Sequence, residues 1–356
     1  SPLEGKFIPA PMYDEIFRVS NDWINKTQVG MAYRYMILAP KAVTQIAKTV
    51  LSGTTHVRNF LSAAAFAAGN GAILPNLTDI QTLAPKALGG KGALGDAYAL
   101  TGKRLFGTIT KEQQQAYKNF KRLGIVGTQT EVGETLRLTD DLVKGELDGM
   151  GTMVGAKAYR KLSDLPGTGI RGLKKTYGKI QDTYVAEDDF WKMVTFGLER
   201  NRYDSILNKI GVNKSNYKEV LKEDSARGKY LNKIIERKDI ADESFDGFLD
   251  ELSATMVRNQ VPNYEYIGRT GKALRMSPFG NFIAFPLEVM RTGNNIIEQS
   301  IREITSEIPE IKALGYRRLF GFGTTVGGIP LALTEIFKSK NNVTNEEMNA
   351  LRRFVP

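Results

Sequence analysis

The densest group of titratable side chains in the sequence is Glu187-Asp188-Asp189, three consecutive carboxylates next to Phe190 and Trp191. Carboxylates grouped in this way could serve as general acid and base or hold a divalent cation. A hydrolase built on Glu187 or Asp188 is therefore one reading. Either chemistry needs partners, and the sequence has few to offer. There is no cysteine and a single histidine, His56. Disulfides, thiolate zinc sites and any site with two imidazoles are thereby excluded. His56 also has no nucleophile to activate, since there is neither a thiol nor a GxSxG serine elbow. It is expected to make a structural hydrogen bond at a helix start. Lys192 follows Asp188 by four residues, the spacing of an ion pair on one helix face. The simpler reading of the acidic cluster is such a paired face.

Two GxGxxG matches occur, at Gly90-Gly92-Gly95 and at Gly167-Gly169-Gly172. Dinucleotide binding needs a strand ahead of the glycines, so that backbone amides at a helix start face pyrophosphate. Neither match follows a strand-like run, and there is no GxxxxGK[ST] loop. Glu243-Ser244 resembles the Glu-Ser pair of lytic transglycosylases, but the downstream Gly-Leu-Met-Gln element that frames that site is absent. No catalytic residue, cofactor or metal-ligand set is assigned.

The net charge of +10 is unevenly placed. Residues 151–180 carry seven basic residues against one acidic, whereas 181–356 are balanced. The excess sits in Lys157, Arg160, Lys161, Arg171, Lys174, Lys175 and Lys179, a segment able to contact nucleic-acid phosphate. Only Tyr159 and Tyr177 interleave with it, so the competing reading is a solvated helix face.

The element that must position these groups runs from Ile170 to Ile210. Leu173, Tyr177, Ile180, Tyr184, Trp191, Val194 and Leu198 recur at alternating steps of four and three, the period of a helix with one apolar seam. Glu187 falls on that seam. A helix of this length is a spine on which shorter helices pack, and the seam is the candidate assembly surface between copies. Ahead of it, helices are expected over Met12–Leu38, Lys41–Leu51, Thr130–Glu146 and Met150–Leu162. Another runs over Thr110–Leu123, where Thr110 and Gln113 match a capping box and Gly124 ends the helix. Residues 84–108 are glycine-rich and expected to be turns. Ser163–Gly169 is the best linker candidate, which divides the chain into 1–165 and 166–356. After the spine, stopped by Gly211, helices are expected at Ser215–Leu221, Lys229–Arg237, Phe245–Val257, Leu287–Ile308 and Thr344–Arg353. Two uncharged, small-residue segments, 59–78 and 319–334, approach the length of a membrane span. Their asparagines, prolines and glycines favour close packing against another helix in the first and a buried or interfacial hairpin in the second. No period-2 run long enough for a sheet occurs. The fold class is all-α, with an elongated multi-helix form expected around the central helix.

Neither Ser1 nor Pro356 looks like a natural terminus, so the chain reads as a piece of something longer; its first residues carry no secretory signal. Three stretches taken together resemble a known family: Lys41–Gly71 with KTVLSGTTHVRNFLS, Tyr184–Tyr203 (YVAEDDFWKMVTFGLERNRY), and Met276–Asn295 (MSPFGNFIAFPLEVMRTGNN) completed by Leu351–Pro356. The combination is similar to the large internal virion (ejection, or polyvalent) proteins of short-tailed bacteriophages. The resemblance implies a helical, homo-oligomeric protein held in the capsid near the portal with other internal virion proteins. On infection it would leave ahead of the genome and help to form a conduit through the host envelope, meeting host membrane. The rival reading is a nucleic-acid-binding virion cargo domain that contacts phage DNA through the 157–179 segment.

Overall fold

The structure is a computed structural model that describes residue 28 and residues 60–61, 63–72, 75–127, 167–235, 244–262 and 284–325. Side chains in the long helix are described from 182 onward, Tyr184 excepted, and in the following long helix from 287. Among the described residues every regular element is helical and there is no strand. The elements are α1 (Leu77–Leu83), α2 (Ala93–Leu105), α3 (Lys111–Arg122), α4 (Gly167–Lys209), α5 (Tyr217–Val220), α6 (Ala226–Ile234), α7 (Phe245–Gln260), α8 (Ala284–Ile304) and α9 (Pro309–Gly323). A helical stretch over 63–67 runs into a kink at Ala68–Ala72, where Gly71 takes left-handed backbone at φ +87.

Local chemistry accounts for most helix ends. Asn76 and Asp79 form a capping box at the start of α1, and Thr110 and Gln113 form one at the start of α3. In each, two otherwise orphaned amides are satisfied reciprocally. Ser225 caps α6 and Ser244 caps α7, so the serine of Glu243-Ser244 has a structural task. Pro309 opens α9 at a position where its missing N–H costs nothing. Gly124 and Gly211 take left-handed backbone, at φ +67 and +74. The amides of Ile125 and Val212 then return to the carbonyls of Phe120 and Leu207 at 3.0 and 2.8 Å, closing α3 and α4 in the Schellman manner.

The long helix spans 43 residues, about 65 Å at 1.5 Å per residue. It packs against α1, α2, α7 and α9. One core joins Tyr203, Leu207, Tyr217, Leu231, Phe248, Leu252 and Ile311. A second joins Leu100, Leu123, Ile125, Val194, Leu198, Val257 and Val261. Both draw on α4 and α7, and the second crosses the expected boundary near 165.

Three sequence expectations need correction. The glycine-rich region 84–108 contains the 13-residue helix α2, because Gly95 and Gly102 are tolerated within a helix whose inner face buries Ala97, Leu100 and Thr101. Within the expected linker, Gly167–Gly169 belong to the first turn of α4. The helix Pro309–Gly323 lies across the start of the segment assigned to a hairpin, its inner face burying Ile311, Leu314 and Arg318. Apart from residue 28, which is helical, expected helices at 12–38, 41–51, 130–146, 150–162 and 344–353, together with His56, lie outside the described residues.

The described parts of the two uncharged segments pack on each other. A Cβ at Gly321 would stand 3.0 Å from the carbonyls of Ala68 and Gly69, so the backbones nearly touch. No helix among the described residues is long and apolar enough to cross a membrane.

Candidate functional site: a buried ionic network

Three carboxylates and three guanidinium groups meet where α1, α4, α8 and α9 converge: Asp79, Glu199, Glu303, Arg202, Arg317 and Arg318. All but Arg317, which is one-fifth exposed, are buried. Helix period explains their convergence. Glu199 and Arg202 are three apart on the inner face of α4, and Arg202 donates to Glu199 at 2.8 Å. Asp79 is already fixed by the α1 capping box, where it accepts the Asn76 amide at 3.1 Å.

Arg318 is the hub. Its Nη2 and Nη1 donate to the two Glu199 oxygens at 2.5 and 3.1 Å. Its Nε donates to Glu303 Oε2 at 3.0 Å, and Nη1 also reaches Gln260 Oε1 at 2.8 Å. Glu303 further accepts from Gln299 at 2.8 Å and from the hydroxyls of Tyr230 and Tyr203 at 3.3 and 3.5 Å. Arg202 donates to Asp79 at 2.6 Å and to the Asn70 carbonyl at 2.8 Å, and Arg317 also binds Asp79. The planar fork of arginine suits such multidentate pairing, which lysine could not reproduce. At the rim, Asn70 Oδ1 and Arg202 Nη2 have no hydrogen-bond partner among the described residues.

The electrostatics divide the carboxylates. Burial alone would raise Glu199, but the charges of Arg318 and Arg202 override it and hold its pKa below the ordinary value. Asp79 is lowered in the same way, against burial, by Arg202 and Arg317. Glu303 is raised, because burial outweighs the help of Arg318. Burial and the neighbouring Glu303 charge also push Tyr203 upward, so it remains a neutral donor. A network with equal numbers of opposite charges, closed to solvent at its hub, fixes the register of four helices.

The acidic cluster forms a second, smaller node. Asp189 is fully buried, whereas Glu187 is only partly so; the inward carboxylate stands two residues, about 200° around the helix, from the one placed on the seam. Asp189 accepts the Tyr117 hydroxyl at 2.6 Å, Arg104 at 3.1 Å and the Gly127 amide at 3.2 Å. It thereby ties α2 and the end of α3 to α4. Burial raises its pKa, opposed by the Tyr117 hydrogen bond. Asp188 pairs with Lys192 at 2.6 Å, as the spacing predicts. Glu187 also has a partner. Among the described residues no group of His, Cys, Asp and Glu has the arrangement of a metal site.

Of the candidate seam, Val194 and Leu198 are buried within the chain's own core. Trp191 is partly buried, with its ring 5.3 Å from that of Phe60 and 5.1 Å from that of Phe190. Leu173, Tyr177, Ile180 and Tyr184 lie on α4, but their side chains fall outside the description. The same holds for Arg171, Lys174, Lys175 and Lys179, while Lys157, Arg160 and Lys161 precede the helix, outside the described residues. Gly90 and Gly92 of the first GxGxxG match shape the turn into α2. A Cβ at Gly90 would overlap Ala84, and Gly92 has φ +71. The second match lies inside α4.

Sequence reasoning missed the network entirely. Its signals were present: Glu199-x-x-Arg202 continuing the apolar face of the spine, and Arg317-Arg318 inside an otherwise apolar run. A search for family models, similar curated proteins and similar solved structures finds no match to this chain.

Proposed function

We propose that this chain is a structural module of an internal virion protein of a short-tailed bacteriophage, stored in the capsid near the portal and acting in genome ejection. The observation that carries the reading concerns the stretch Tyr184–Tyr203, one of the three that together resemble that family. It holds Asp188, Asp189, Lys192, Glu199 and Arg202, whose charges are engaged with other helices of the same chain or with each other. Charges so used hold a shape. The module would assemble as a homo-oligomer beside other internal virion proteins and the portal, and reach the host envelope, where it meets membrane, after ejection.

Cryo-electron microscopy of virions that carry the protein tests the reading. Rings of helical density on the portal axis, into which α4 and its neighbours fit, are the expected result. Recovery of the protein only from the cytosol of infected cells, and never from purified virions, would overturn it.

A further inference from the structure

We propose that the outward face of α3 is a docking surface for the phosphate backbone of a nucleic acid. The inference is independent of the assembly reading. It rests on a charge pattern that only the structure brings out.

Residues 86–122 hold eight basic residues against two acidic. Arg104 is engaged by Asp189 and Lys86 by Asp96, and the remaining excess gathers on α3. Lys111, Lys118 and Arg122 fall within about 40° of one another on a helix of 3.6 residues per turn, over about 16 Å of its axis. Lys121 flanks them, and Gln114 and Gln115 fill the space between. All six are exposed. Among the described residues, Lys111, Lys118 and Lys121 have no ion-pair partner, and Arg122 donates to the neutral Asn119 at 3.1 Å. One carboxylate, Glu112, stands at the edge of the face. It bonds within the first turn, which lowers its pKa.

The opposite side of the helix is anchored. Phe120 packs edge-on against Phe196 with centroids 5.4 Å apart, and Tyr117 donates to the buried Asp189. The cations therefore stand on a helix held rigidly to the spine. Their chemistry selects the partner. A membrane-surface helix turns an apolar side outward into lipid, whereas here the apolar side is committed to the core. The exposed face offers only ammonium, guanidinium and amide donors. A line of such donors is complementary to a row of phosphates, and the glutamines add neutral hydrogen bonds of the kind that position a protein on a duplex.

The test titrates the full chain with a fluorescent duplex DNA of random sequence at several salt concentrations. Four phosphate contacts predict a slope of log K against log salt between about −3 and −4. The variant K111Q/K118Q/K121Q should bind roughly 100-fold more weakly near 0.1 M salt, with a slope shallower by about 3. Its circular dichroism and Tm should be unchanged, since none of the three side chains forms an ion pair among the described residues. As a control, K209Q/K214Q/K233Q removes the same charge from exposed lysines elsewhere and should bind as the parent does. The proposal is overturned if both triple variants weaken binding equally, because net charge alone would then be at work. It is also overturned if the parent does not bind DNA, or if it binds only vesicles containing phosphatidylserine.

Discussion

Arg318 is the residue on which the described structure most depends. Its guanidinium serves Glu199, Glu303 and Gln260 at once, with no exposed surface. Removing one member of a buried ion pair leaves the other charged and desolvated, at a cost of about 3–5 kcal/mol. Arg318→Met should therefore lower the stability obtained from urea titration by that amount. A loss under about 1 kcal/mol would mean that Glu199 and Glu303 reach water or change protonation without it. The pH dependence separates the carboxylates by sign. Asp79 and Glu199 are lowered, so each binds protons more weakly when folded. Their contribution is present above the unfolded values of about 3.9 and 4.3 and is lost as pH falls through the folded ones. Asp189 is raised, so acidification toward its unfolded value favours the folded state. Asp79→Asn should accordingly flatten the acid-side fall in stability below about pH 4, and Asp189→Asn should make the fall above pH 4 steeper. Denaturant midpoints across pH 3 to 7 would show both effects, and parallel curves for the two variants would contradict the assignment.

At the scale of elements, two contacts decide how the helices are spaced and begun. Gly315 lies where α9 crosses α8. A Cβ there would stand 2.7 Å from Glu303 Cβ and from the Ile304 amide nitrogen, and 2.8 Å from the Ser300 carbonyl. Alanine gains about 1 kcal/mol in helix propensity over glycine, but overpacking against backbone costs about 1–3 kcal/mol, and backbone cannot rotate away as a side chain can. Gly315→Ala is expected to lower Tm and to weaken the neighbouring Arg318–Glu303 pair. An unchanged or higher Tm would show that α8 and α9 can separate without penalty. The start of α3 is a gentler case. Thr110→Ala removes the acceptor of the Gln113 amide and should cost about 1 kcal/mol. With that bond lost, hydrogen exchange in the first turn of α3 should quicken.

Across the whole molecule, cooperativity follows from shared helices. Both cores include residues of α4 and α7, and the ionic network adds α1, α8 and α9. Neither core can open without disturbing the spine. In a Trp23→Phe background, the fluorescence of Trp191, beside the core that reaches α2 and α3, should report the same urea midpoint as far-ultraviolet circular dichroism. Separate midpoints would mean that the two cores unfold independently.

The sequence by itself determined what depends on neighbours along the chain. The period of four and three residues marked the spine, which runs from 167 to 209 against an expected 170 to 210. Thr110 with Gln113, Gly124 and Gly211 marked ends that the backbone adopts, because capping and left-handed turns involve residues three to five apart. The Asp188–Lys192 pair was legible for the same reason. Only the tertiary structure decided which charges are buried. Asp79 and Arg202 are 123 residues apart, and Glu199 and Arg318 are 119 apart, so no local spacing joins them. The tertiary structure likewise turned the acidic cluster around: the helix rotation that meets Tyr117, Arg104 and the Gly127 amide buries Asp189 and leaves Glu187 nearer the surface. Glycine content misled at α2 for a related reason. Propensity disfavours a helix there, but the inner face of α2 packs on α4, and burying Ala97 and Leu100 outweighs about 1 kcal/mol for each glycine.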